Sequence, residues 1–228
     1  LRWTYPQMVC ANVPSKLTAT QIKGRPQDQE AAEEGMSTDL PQPEPAVHRP
    51  RFAAEERGLT AAQRGTALHQ AMQYLPLTGD HSPEGVRAEL DRLTREGFLT
   101  PMQRQVIRPA VLSAFFQSDL GRAMCAAREC RREFKFSLLV PAREYEPQAE
   151  EGEEVLLQGV IDAWFDDGDG ITVIDFKSDR IQPGGEAQRG EEYRRQLCSY
   201  SRALEEILGR PVRRRVLWFF ATGRAWDV

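Results

Sequence analysis

One apolar run of this chain ends in an acid and a lysine, and that pattern limits the sheets into which the run can fold. Residues 171–174 are followed by Asp175, Phe176 and Lys177. Because successive side chains of a β-strand point to opposite faces, Asp175 and Lys177 share one face of the strand. A carboxylate and an ammonium group therefore stand side by side in a segment that is otherwise suited to burial.

A second apolar run, residues 160–165, carries one further acid, Asp162. The segment 166–170 between the two runs consists of aspartate and glycine, which is typical of a hairpin turn. Folding about that turn places Asp162 opposite Ile174 or Asp175. Burying two like charges is costly unless a positive group pairs with them, so the pattern predicts a divalent cation in addition to the lysine.

Length and composition favour one main domain with an appendage. The chain has 228 residues, of which 40% are hydrophobic, and this is enough to bury a core. It contains no apolar run long enough to span a bilayer and no signal-like amino terminus, so we expect no membrane span and a cytoplasmic location. The cysteines lack the paired spacing of a zinc site, which predicts reduced thiols at Cys10, Cys125, Cys130 and Cys198.

The charge distribution leaves a nucleic-acid partner open. A net charge of -4 argues mildly against such a partner, but basic residues concentrate in segments 128–135, 189–195 and 210–215. Basic stripes beside a metal-binding carboxylate cluster can hold a phosphate backbone. A solvated helix surface is the alternative explanation for each stripe taken singly.

The chain divides into three parts by composition. Residues 24–52 are rich in proline, glutamine and glutamate, and they carry too little apolar surface to offset the entropy of ordering. We therefore expect a flexible linker or loop there. Residues 1–23 would pack on the main domain or lead into it, with a short helix near Thr18, and residues 53–228 would form the main domain.

Sequence periodicity predicts an α/β domain with a mixed β-sheet core, flanking helices and an amino-terminal helical portion. A capping box at Thr60 opens the first helix, which runs to Tyr74 and carries His69 beside its buried face. A second helix should follow Ser82, and a third should begin at Thr100 and bury Val106, Ala110, Val111 and Ala114. The remaining expected elements are strands at 132–140, 160–165, 171–177, 212–221 and 225–228 and a helix at 191–208.

The polar residues on or beside the expected buried faces form one ordered set: His69, Glu133, Asp162, Asp175, Lys177, Gln196 and Tyr200. In segments 64–69, 159–162, 175–177 and 196–200, this set resembles the RecB-like branch of the PD-(D/E)XK nucleases. Within that branch it is similar to the carboxy-terminal nuclease domain of AddA-type helicase–nuclease subunits. Gly-x-x-Asp replaces the Pro-Asp for which the superfamily is named, as is normal in this branch.

The resemblance implies the PD-(D/E)XK nuclease fold and a divalent-metal site. The ligands would be the side chains of His69, Asp162 and Asp175 and the carbonyl of Phe176. Mostly oxygen donors suit Mg²⁺, and the imidazole makes Mn²⁺ a plausible substitute. Considered without the rest of the set, His69 would more often be a histidine on a helix surface or one that is satisfied in a core.

The same resemblance implies roles for the remaining polar residues. Lys177 would orient the attacking water and stabilise negative charge in the transition state. Gln196 and Tyr200, at i and i+4 on one helix, would reach Lys177 or the scissile phosphate, although Tyr200 alone would also fit a core position. Glu133 would contact the metal site from its strand.

The activity implied is that of a Mg²⁺-dependent DNA exonuclease domain. It would cut the 3′-terminated strand at double-strand ends during recombinational repair, beside an AddB-type subunit. A phosphate-binding Gly-x-x-x-x-Gly-Lys-Ser/Thr loop is missing, so the ATP-driven helicase motor is expected outside this sequence. No iron–sulfur cluster is expected, because no cysteine follows Tyr200.

Two alternatives belong to other functional classes. One is a catalytically silent domain that keeps the fold for DNA binding or assembly. The other is a stand-alone metal-dependent endonuclease, which would have to cut circular substrates.

Overall fold

The structure, a computed structural model, describes residues 14–19, 59–145, 147, 149–178, 181 and 184–228. The expected linker at 24–52 and Cys10 lie outside these residues. Within the described ranges the strands are β1 (Lys16–Thr18), β2 (Glu129–Pro141), β3 (Glu154–Asp166), β4 (Ile171–Lys177), β5 (Val212–Phe219) and β6 (Arg224–Asp227). The helices there are α1 (Ala61–Tyr74), α2 (Pro83–Arg95), α3 (Pro101–Val106), α4 (Pro109–Gln117), α5 (Asp119–Ala126) and α6 (Glu186–Leu208), with a 3₁₀ turn at Ala142–Glu144.

The strands form one mixed sheet in the order β1-β3-β4-β5-β6, and β2 pairs with β3. Two pairings are parallel, β1 with β3 and β4 with β5, and the others are antiparallel. The most extensive strand pairing is between β2 and β3. Strands β3 and β4 pair only over a short stretch, from the pair Asp166–Ile171 to the pair Ala163–Ile174. The two acid-bearing strands therefore diverge directly after their last pair.

Helices cover both faces of the sheet. On one face, α1 to α5 enclose a core that includes Leu90, Phe115, Phe176 and Trp218. On the other face, α6 packs over a core that includes Val173 and Leu217, among others. Because both faces are covered, every residue of β4 is buried, as expected for a strand in the middle of such a sheet.

The prediction of one continuous third helix is wrong, because the structure has two helices there, α3 and α4. The predicted helix is interrupted at Pro109, which opens α4, and the preceding Arg108 is extended, as the residue before a proline usually is. The interruption rotates the buried face to residues such as Leu112 and Phe115, whereas Ala110 and Ala114 are exposed. A further helix, α5, is capped by Ser118 and adds to the helices expected from periodicity.

The helix predicted near Thr18 is also wrong, because this segment is the strand β1. Leu17 pairs with Leu157 in parallel register, and the Ala19 N–H donates to the Gln158 carbonyl at 2.9 Å. A strand this short depends on the edge that receives it rather than on local propensity. Among the helices of the described ranges, none combines the length and the apolar content that crossing a membrane would need.

Candidate active site

Helix α1 brings His69 to the point where β3 and β4 diverge. The helix starts at a capping box, in which the Gln63 N–H donates to Thr60 Oγ1 at 3.2 Å and the Thr60 N–H donates to Gln63 Oε1 at 2.9 Å. A side chain at Gly65 would place its Cβ only 2.7 Å from Ser178 Oγ. Gly65 therefore permits the helix to approach the residue that follows β4.

Asp162 uses both of its carboxylate oxygens at this point. His69 Nδ1 lies 3.3 Å from Oδ1, and Oδ2 accepts a 2.6 Å hydrogen bond from the Phe176 N–H. The side chain thus takes up a backbone donor of β4 just beyond the last residue pair between β3 and β4. Asp162 joins α1, β3 and β4 through one carboxylate.

Glu133 approaches the same site from β2. The pairs Arg132–Ala163 and Phe134–Ile161 on either side place Glu133 opposite Asp162. Its φ angle of 52° lies in the left-handed region, which is costly for a residue with a side chain and is often found at functional sites. The backbone distortion therefore coincides with the residue that faces Asp162.

Donor atoms of His69, Glu133 and Asp162 all lie within 4.8 Å of one another. These three residues line a cleft of about 160 Å³ together with Thr66, Gln70, Gln73 and Val160. A helix and two paired strands thus contribute to one small cleft. Phe176, expected as a carbonyl ligand, contacts Asp162 through its N–H.

Lys177 and Asp175 form a buried ion pair next to this cluster. Lys177 Nζ lies 3.0 Å from Asp175 Oδ2, and the two side chains are 9% and 3% exposed. The ammonium group also lies 3.8 Å from the ring centroid of Tyr193 on α6, a cation–π contact. Asp175 is therefore placed beside Lys177 rather than within the group formed by His69, Glu133 and Asp162.

Helix α6 presents Gln196 and Tyr200 to the sheet. Gln196 Nε2 donates to the Tyr200 hydroxyl at 2.8 Å, and both residues are fully buried. The Tyr200 ring packs edge-on against Phe136 of β2. Tyr193 lies on the same helix face, one turn before Gln196, so spacing along α6 is the signal that could have added it to the expected site.

A sequence model of the PD-(D/E)XK nuclease superfamily matches residues 46–225. The chain belongs to this superfamily. The mixed sheet with helices on both faces agrees with a PD-(D/E)XK nuclease fold, so the predicted fold class is confirmed.

Curated relatives that are named as ATP-dependent helicase/nuclease subunits match nearly the whole chain. The relative from Desulforamulus reducens is 38% identical over 226 residues, which cover 98% of this chain and 18% of that protein. The relative from Desulforudis audaxviator is 39% identical over 227 residues, with coverages of 99% and 18%. The predicted resemblance is confirmed, and the chain spans 18% of the length of these relatives.

A solved structure titled "Crystal structure of SSO0001" is also similar, with 14% identity and a TM-score of 0.33. The match covers 71% of this chain and 64% of that chain. This likeness is too low to support any conclusion about function.

The ionisable side chains of the candidate site shift one another's pKa values. Burial alone would lower the pKa of His69, but the charge and hydrogen bond of Asp162 outweigh it and raise that pKa from 6.5 to about 9. Burial penalises the Asp162 carboxylate too, yet His69, Lys177 and the Phe176 N–H together hold the pKa of Asp162 below its usual range. Burial raises the pKa of Asp175, and the charge of Asp162 adds to this rise while Lys177 opposes it.

The residues present fit a divalent cation. One imidazole and two carboxylates within 4.8 Å of one another can all contact a single ion. This donor set suits Mg²⁺ or Mn²⁺, whereas zinc would favour more nitrogen or sulfur. The raised pKa of His69 shows in addition that the acids around this position favour a positive charge there.

Many basic side chains of segments 128–135, 189–195 and 210–215 bind to other groups of the protein. Arg210 pairs with Glu129 at 2.9 Å and with Asp166 at 3.0 Å, and Arg214 pairs with Asp227. Arg132 Nη1 donates to the carbonyls of Met72 and Leu75 at the end of α1, at 2.7 and 2.5 Å. Much of the positive charge seen in sequence therefore supports the fold, and the Arg132 contact has no signal in the sequence.

Proposed function

We propose that this chain is a DNA nuclease domain that hydrolyses phosphodiester bonds with a divalent cation. The observation that carries the proposal is the convergence of His69, Glu133 and Asp162 within 4.8 Å at one cleft. The buried pair of Lys177 and Asp175 on the neighbouring strand supports it, because a site of binding alone has no need for such a pair.

His69, Glu133 and Asp162 would hold the cation, with Asp175 and the Phe176 carbonyl as the further ligands that the superfamily implies. When bound, such a cation activates a water and neutralises charge on the phosphate oxygens. The Phe176 N–H keeps Asp162 oriented toward the cleft through its 2.6 Å hydrogen bond. Support of this kind typically fixes a ligand for metal binding.

Lys177 is the proposed catalytic cation of the protein itself. Asp175 and the Tyr193 ring hold its ammonium group from two sides. From this position Lys177 would donate to the attacking water and to the phosphate as negative charge develops, and one such donor is often worth about 100-fold in rate or more. Gln196 and Tyr200 would keep the α6 face in place behind it.

The wider function that we propose follows the similarity to helicase–nuclease subunits. The domain would be a Mg²⁺-dependent exonuclease that digests the 3′-terminated strand at DNA ends for double-strand break repair, in the cytoplasm. The helicase motor of the same protein and an AddB-type subunit would be its partners. Residues 53–228 would form the nuclease domain, preceded by the linker 24–52 and by the segment 1–23.

Removing one ligand tests the nuclease assignment. We expect Asp162→Ala to lose Mn²⁺ binding in calorimetry and to reduce metal-dependent cleavage of a labelled oligonucleotide to background. The matched control is Asp119→Asn, because the side chain of Asp119 is 99% exposed on α5. If Asp162→Ala cleaved DNA as the unaltered chain does, the assignment would be refuted.

The same preparation separates the two alternatives. A silent binding domain would show no cleavage in the unaltered chain at any Mg²⁺ or Mn²⁺ concentration. A stand-alone endonuclease would cut circular single-stranded DNA, whereas an exonuclease would leave the circle intact and degrade only the linear form.

A further inference from the structure

Two aromatic rings are exposed beside the cleft. Tyr74, the last residue of α1, is 37% exposed, and Phe98, in the turn between α2 and α3, is 40% exposed. Their ring centroids are 4.6 Å apart with planes tilted by 42°. Single exposed apolar side chains are common on protein surfaces, but two neighbouring aromatic rings next to a cleft offer a flat apolar surface to a ligand.

The pair is joined to the wall of the cleft. Gln70, which lines the cleft, donates from Nε2 to the Phe98 carbonyl at 2.7 Å. Gln103 in turn donates to Gln70 Oε1 at 2.8 Å. The aromatic pair and the candidate metal cleft are therefore parts of one continuous surface.

The Phe98 backbone is fixed on both sides. Its N–H donates to the Leu93 carbonyl at 2.9 Å, and its carbonyl accepts from Gln70. Gly97 permits the turn, because its φ of 82° would strain any residue with a side chain. The backbone bonds fix where the Phe98 side chain begins, and its ring packs against Tyr74, so less order has to be gained on binding and the entropy cost is lower.

We propose that Tyr74 and Phe98 form a stacking platform for an unpaired base of the DNA strand that enters the cleft. The proposal rests on the nuclease function proposed above. Exposed aromatic rings bind single-stranded nucleic acid by stacking on bases, whatever the base identity. A paired base within a duplex offers no free face, so the platform favours single-stranded substrate.

Helix geometry gives the position of the stacked base. Tyr74 follows His69 by five residues along α1, which separates the two residues by about 7.5 Å along the helix axis and by roughly 140° around it, at about 1.5 Å rise and 3.6 residues per turn. Stacked nucleotides advance by about 3.4 Å each. The rise alone equals about two such steps, and the side chains also leave the helix in different directions, so the base on the platform should lie more than two nucleotides from the phosphate at the cleft.

Binding measured in chelator, where no cleavage can occur, tests the platform. We expect Phe98→Ala to weaken the binding of a short single-stranded oligonucleotide by about 5- to 100-fold, which corresponds to roughly 1–3 kcal/mol per stacked base. The dependence of affinity on salt should stay unchanged, because stacking removes no phosphate contact. Phe98→Trp should restore binding, and Leu139→Ala, at an exposed apolar site on β2, is the matched control.

Oligonucleotides with a single abasic position, placed at each site in turn, add a measurement that would not change if Phe98 had only a structural role. In the unaltered chain one or two abasic positions should weaken binding as much as Phe98→Ala does, and in Phe98→Ala the same positions should have no further effect. Oligonucleotides that carry iodouracil at those positions should crosslink to Tyr74 or Phe98.

The proposal is overturned if Phe98→Ala binds the oligonucleotide as tightly as Leu139→Ala does, or if no abasic position matters. These measurements need no metal, so they stay distinguishable from a failure of the nuclease assignment, which would appear as absent cleavage with unaltered base stacking.

Discussion

At the scale of single residues, the buried pair of Lys177 and Asp175 links activity to stability. The two side chains are nearly inaccessible, and Lys177 is further held against Tyr193. A buried charge that loses its partner costs far more than an exposed one, because water cannot replace the lost interaction. Removal of the residue proposed to act on the phosphate would therefore also destabilise the fold.

We expect Lys177→Met to abolish cleavage and to lower the free energy of unfolding by about 3–5 kcal/mol, because it leaves the Asp175 carboxyl buried and unpaired. Urea denaturation measures the loss. The double variant Lys177→Met with Asp175→Asn should recover most of the stability and none of the activity. Equal stabilities of the single and double variants would show that Lys177 and Asp175 do not stabilise each other.

At the scale of elements, the position of α1 decides whether the proposed metal ligands meet. Arg132 precedes Glu133 on β2 and donates to the Met72 and Leu75 carbonyls at the end of the helix that carries His69. One residue thus ties the strand of one ligand to the helix of another. Carbonyls at a helix end need such donors, because they have no partner within the helix.

We expect Arg132→Leu to weaken Mn²⁺ binding by about 10-fold, the usual range for support behind a ligand, and to cost roughly 1–3 kcal/mol in stability. Calorimetry and urea denaturation give the two values. Arg131→Leu is the control, since Arg131 is the neighbour of Arg132 in sequence and its own side chain is 65% exposed. Unchanged metal affinity in Arg132→Leu would show that the contact at the end of α1 does not influence the proposed metal site.

The same elements show what a sequence can and cannot predict. The aspartate–glycine segment 166–170 predicts that Asp162 and Asp175 lie on adjacent strands, and the period of two puts Asp175 and Lys177 on one face. The break at Pro109 is legible in the sequence, since a proline disfavours a helical conformation in the residue before it. By contrast, β1 and the Arg132 contact depend on partners far along the chain, and nothing local encodes them.

At the scale of the whole molecule, the charge cluster makes stability depend on pH. In the metal-free chain the pKa of His69 is raised from 6.5 to about 9, so the folded state holds this proton more tightly than the unfolded state does. The contribution is complete below about pH 6.5 and is lost as the pH rises through about 9. Asp162, with its lowered pKa, contributes at neutral pH and loses its contribution in acid.

We therefore expect the melting temperature of the chain in chelator to fall between about pH 6.5 and 9. Thermal denaturation across this range measures the fall, and His69→Gln should show a smaller one. Asp162→Asn should behave like His69→Gln, because it removes the partner that raises the histidine pKa. A decline of equal size in all three proteins would assign the pH dependence to other groups.

Of the three clustered ligands, His69 lies on α1 and the other two lie on the paired strands β2 and β3, which a long stretch of chain separates from α1. Contacts between distant segments form late, after the loops between them have closed. The cleft that these residues line therefore exists only where α1 has docked on the β2–β3 pair, so a partly folded chain without this docking would lack the proposed metal site.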